Sequence, residues 1–87
     1  MSYAEVCGAV EALQKKYHES NPFRLCEDMN ILLLSQALGN APDAIKGFYL
    51  ESKRIRTITV NYDLPEAVQR IVVAHELGHA VLHRHSG

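Results

Sequence analysis

The sequence predicts an α+β fold in which N-terminal helices and a small three-stranded sheet pack on a C-terminal helix. Three observations lead there. Apolar residues recur at helical spacing near both ends of the chain. Between those ends lie short apolar and β-branched runs separated by turn residues. The 87 residues, 47% hydrophobic and 22% charged, suffice for one small core and no second one.

The first segment, residues 2–19, carries Tyr3, Val6, Val10, Leu13 and Tyr17 at helical spacing among good helix formers. Asn21-Pro22 then suits a helix start, with Asn as cap and Pro in the first turn, so a short helix over residues 22–29 follows. Ile31–Leu34 is short, apolar and followed by Gly39-Asn40-Ala41-Pro42, which favours a strand. Gly47–Glu51 and Ile55–Val60, separated by a charged turn, read as a hairpin. Arg56 and Thr59 are expected to face out or to line an edge. Asp63-Leu64-Pro65-Glu66 marks the last helix start, with an acidic cap. Leu64, Val68, Ile71, His75, His79 and Leu82 then form one stripe on a helix reaching about Arg84.

Nine basic against ten acidic residues give a net charge of −1, without the basic footprint of a nucleic-acid-binding domain. No apolar run is long enough to span a bilayer. The start, Met1–Glu5, has no basic region followed by an apolar stretch, which predicts a cytoplasmic protein. Cys7 and Cys26 have neither the number nor the spacing of a disulfide framework or a cysteine metal site, and read as small thiols packed on helices.

The chemistry concentrates in His75-Glu76-Leu77-Gly78-His79. Residues four apart on a helix sit about 5–6 Å from each other on one face. Two imidazoles so placed can converge on one Zn²⁺. Glu76, beside that stripe, reaches a water rather than the metal, where it takes the proton and passes it to the leaving amine. Those roles describe metal-assisted peptide hydrolysis, with His75 and His79 as ligands and Glu76 as catalytic base. The competing reading is a helix end whose histidines only complement the dipole.

A catalytic zinc site needs a third protein ligand. His83 lies eight residues from His75, about 12 Å along a straight helix, so one ion cannot take all three. His85 falls ten residues after His75, the metzincin spacing, but Leu82 stands where that pattern turns on a glycine. Glu27, Asp28, Glu51 and Asp63 lie upstream with no spacing rule to choose among them. The remaining alternative is a ligand beyond Gly87. Tyr49 or Tyr62 could stabilise an oxyanion, although nothing in the sequence places either near His75.

The stretch from Gln69 to His83, in which an apolar run and Ala74 precede HELGH and Leu82-His83 follows it, resembles the ImmA/IrrE-type metallopeptidases. Upstream, Asn21-Pro22-Phe23, the short apolar strand, Gly47-Phe48-Tyr49 and Val60-Asn61 are similar in order. The resemblance implies a zincin-like fold with an edge strand above the active-site helix, and Ile55–Val60 is the candidate edge. It implies a cytoplasmic zinc endopeptidase of bacterial or mobile-element origin that cleaves helix-turn-helix repressors. His75 and His79 would bind Zn²⁺, Glu76 would be the base, and His83 would lie behind the ligands or in the cleft. The family's third ligand is an acidic residue downstream of HELGH, so residues 1–87 would form one zincin-like domain without the family's C-terminal part. Two other functions compete. One is a non-catalytic module that binds a repressor through its sheet edge; the other, disfavoured by the charge, is a DNA-binding module.

Overall fold

The computed structural model describes residues 2–86, with side chains through Leu82. The order is α1 (Tyr3–Tyr17), α2 (Pro22–Asp28), β1 (Leu32–Gln36), β2 (Gly47–Ser52), β3 (Ile55–Asn61) and α3 (Glu66–Ser86). The architecture is α+β, three helices and a mixed three-stranded sheet. No helix among the described residues is long and apolar enough to cross a membrane.

The helix starts follow capping chemistry. Ser2 Oγ accepts from the Glu5 amide at 3.1 Å, and Asn21 Oδ1 accepts from the Phe23 amide at 3.0 Å. Asp63 departs from its expected role as a cap. Its carboxylate instead accepts from the Gly39 amide at 2.8 Å, tying the approach to α3 to the loop after β1.

The strand order is β1-β3-β2, with β1 parallel and β2 antiparallel to β3. This corrects the expectation that Ile55–Val60 is the edge. Residues 55–61 take the centre because β1 returns beside them in parallel, while the free edges belong to β1 and β2. Ile58 and Val60 are fully buried against the helices. Thr59, on the opposite face, is buried as well, and Arg56 is half-buried with its guanidinium donating to the Met29 carbonyl. Neither is the solvated side chain that the alternation suggests. The β2–β3 connection is a two-residue turn in which Lys53 (φ 50°) and Arg54 (φ 70°) are both left-handed, the signature of a type I′ hairpin.

The core lies between the sheet and the helices, around Leu25, Cys26, Ile58, Val60, Val73 and Leu77. Burial of each large aliphatic side chain contributes about 1.5–3 kcal/mol. Burial also pushes the Cys26 thiol up to about 11, keeping it protonated and inert at neutral pH. Among the described residues of α3 the buried hydrophobic side chains are Val73, Leu77 and Ala80, whereas Ile71 is 67% exposed. The stripe through Ile71, His75 and His79 is therefore not the core face; it flanks that face. The sheet's other face carries the exposed Leu32, Leu34, Leu50 and Ile55.

Asn61 holds the topology. The chain leaves β1 at one edge and must pass the end of β3 to reach β2 at the other. Fully buried there, Asn61 accepts from the Leu38 and Asp63 amides at 3.1 and 2.9 Å. It donates to the Gly39 and Ile45 carbonyls at 2.7 and 3.0 Å. Asn61→Ala leaves these backbone groups without their partner. At about 1–3 kcal/mol per stranded group, partly offset by water, a loss of about 3 kcal/mol is expected in urea unfolding.

Candidate metal centre

The HELGH segment divides its residues between two surfaces of α3. Leu77 and Gly78 are buried, Leu77 in the core and Gly78 against α1. A Cβ added to Gly78 would lie 2.6 Å from Val6 Cγ1 and 2.8 Å from the Val6 carbonyl oxygen, so only glycine permits this helix approach. His75, Glu76 and His79 are half-buried. At a second glycine, Gly47 of β2, an added Cβ would meet Val72 Cγ1 of α3 at 2.6 Å and the Thr59 carbonyl of the paired β3 at 2.8 Å.

The Nε2 atoms of His75 and His79 are 2.8 Å apart, with ring centroids 4.4 Å apart and planes at 76°. Both rings thus aim the same nitrogen at one point. In a tetrahedral zinc site with bonds of about 2.0–2.1 Å, two nitrogens stand about 3.3 Å apart. Small side-chain rotations supply the difference, so the pair fits as two ligands of one divalent ion. Among the described residues, no group of three His, Cys, Asp or Glu side chains is placed to hold a metal. The side chains of His83 and His85 lie outside the described residues.

Beside these imidazoles runs a cleft of about 490 Å³, bounded by β2 from Gly47 to Glu51 and by Glu76 and His79 of α3. Burial raises the Glu76 carboxyl above its usual value, and the neighbouring His79 and His75 pull it part of the way back. A carboxylate in that setting is a better proton acceptor than one in water.

Of the acidic residues considered as further ligands, only Glu51 lines this cleft. Glu27 borders a separate depression with Arg54 and Arg56, and Asp63 is held at Gly39. Tyr49 lines the cleft, while Tyr62 is 67% exposed. Tyr49 and Glu51 are the cleft residues with polar side chains that lie outside the motif. Their common parity in a strand paired with the buried Ile58 was the available signal.

Among known proteins, the model of the Peptidase_M78 family, the IrrE N-terminal-like domain, matches residues 26–87. "Uncharacterized immunity region protein 2" of Bacillus phage phi105 is 41% identical over 81 residues, which cover 93% of this chain and 49% of that protein. The chain thus spans about half the length of this curated relative. No solved structure gives a significant match. The family match takes in β1 to α3, including Gly47, Gly78 and the HELGH segment, and the chain belongs to the Peptidase_M78 family of IrrE N-terminal-like domains.

Proposed function

We propose that this chain forms the zincin-like catalytic half-site of a zinc endopeptidase directed at a helix-turn-helix repressor. The observation that carries the reading is the convergence of two imidazole Nε2 atoms beside a cleft that runs along a free strand edge. His75 and His79 hold the zinc, which when bound supplies Lewis acidity for attack on a peptide carbonyl. Glu76 takes the proton from the attacking water and returns it to the leaving nitrogen. The edge of β2 receives the substrate in extended form by strand addition. This places the substrate strand on β2 and not on residues 55–60, which lie mid-sheet. The repressor as target is supported by the phage relative, whose name places it in an immunity region.

A second reading keeps the cleft without turnover, and the absence of a third donor among the described residues favours it. The two readings separate on Glu76→Gln. If the chain is a peptidase, the zinc-loaded protein cuts a phage immunity-region repressor into two fragments seen by mass spectrometry. The Gln variant then binds the same repressor and leaves it whole, with cleavage at least about a hundredfold slower, as expected for loss of a general base. A repressor bound equally by both proteins and cut by neither would establish the binding module.

A further inference from the structure

We propose that Glu51 is the specificity-determining residue of the cleft, selecting a substrate strand with a lysine or arginine side chain on its α3-facing side. This rests on the reading of the cleft as a peptide site.

Strand polarity comes first. The Asn61 amide donates to the Lys46 carbonyl at 2.8 Å, which fixes the alternation along β2. Lys46, Phe48 and Leu50 direct their backbone groups toward β3, so Gly47, Tyr49 and Glu51 turn theirs to the open edge. A peptide added there pairs with the backbone of those three residues.

Side-chain parity gives the second step. Tyr49 and Glu51 pair with Ile58 and Arg56, on the helix side of the sheet. Tyr49 packs against the core, whereas Glu51 is exposed at the mouth of the cleft.

Charge gives the third. The cross-strand neighbour of Glu51 is Arg56, the residue that would ordinarily neutralise it. Arg56 instead turns its guanidinium to the Met29 carbonyl. No cation among the described residues lies within ion-pair distance of the Glu51 carboxylate. The cleft lining holds two carboxylates, Glu51 and Glu76, and neither lysine nor arginine. A basic side chain on the added strand supplies the charge that Arg56 does not.

The test uses zinc-loaded Glu76→Gln protein and fluorescein-labelled extended peptides in which one Lys, Gln or Glu is moved along an otherwise neutral sequence. Anisotropy titrations are expected to find one position where Lys binds about fivefold tighter than Gln, the scale of a good cross-strand charge pair, and Glu binds more weakly. Adding Glu51→Gln removes the preference, Glu51→Lys reverses it, and both keep their zinc. Peptides that bind with no position distinguishing Lys from Glu, or a preference that survives Glu51→Gln, overturn the inference and leave the peptide cleft standing. Loss of zinc from Glu51→Gln overturns it by assigning the carboxylate to the metal. Peptides that do not bind at all overturn the cleft reading and the inference together.

Discussion

His79→Ala is expected to lose zinc while staying folded. The imidazole is half-buried and outside the core cluster, so its removal takes away little packing. It does remove one of the two nitrogens that meet at 2.8 Å. Loss of a residue that merely supports a ligand already costs about 10- to 100-fold in metal affinity, so loss of a ligand itself should exceed a hundredfold. His75→Ala should behave the same way, and the double variant should be little worse than either, because a chelating pair acts as a unit. The cleanest measurement is a thermal melt with and without zinc. A metal at a hundred times its dissociation constant stabilises the folded state by about 2.7 kcal/mol, which raises Tm by about 10 °C or more in a domain this small. The wild type should show that rise and the single variants should not. A wild-type protein whose melt ignores zinc would mean that the two rings share only a hydrogen bond.

The imidazole pair was readable from the sequence because it is local. Two residues four apart on one helix meet whatever the rest of the chain does. The same holds for the cap at Asn21 and for the hairpin, whose partners are near in sequence. What failed was non-local. The pairing of β1 with β3 joins residues far apart along the chain, and no pattern within residues 55–61 tells a central strand from an edge one. Helix α3 has apolar residues on two adjoining stripes. Only the positions of α1, α2 and the sheet decide that Val73, Leu77 and Ala80 go inside while Ile71 stays out. Glu51 was one acidic residue among four for the same reason. Its place depends on the hairpin register and on the close approach of β2 to α3, which in turn depends on Gly47. Asn61 reads in the sequence like any residue at the end of a strand, because the loop that hangs on it comes from the other side of the sheet.

Gly78→Ala reverses an ordinary rule, and the reversal tests how the helix that carries His75 and His79 is seated. In an open helix the change gains about 1 kcal/mol, because alanine is the better helix former. Gly8 in α1 is such a position, with nothing within 4 Å of an added methyl, and Gly8→Ala should stabilise the protein by roughly that amount. At Gly78 the methyl meets Val6 Cγ1 at 2.6 Å, the Val6 carbonyl oxygen at 2.8 Å and Val10 Cγ2 at 3.2 Å. A side chain can rotate away, but the carbonyl moves only if α1 moves. Overpacking of this kind costs about 1–3 kcal/mol, enough to cancel the helix gain and leave a net loss. Gly78→Val adds two more methyl groups against the same backbone and should release α1 or abolish folding, a large fraction of the total stability of a domain of this size. The consequence reaches the site, because His75 borders the groove that Tyr3, Val6 and Cys7 of α1 form with α3. Urea unfolding of Gly8→Ala and Gly78→Ala, run beside zinc titration of each, should therefore give opposite signs in stability and a weakened metal site only in the second. Equal stability gains from the two substitutions would show that α1 does not bear on Gly78, and that the helix carrying His75 and His79 is held by the sheet and α2.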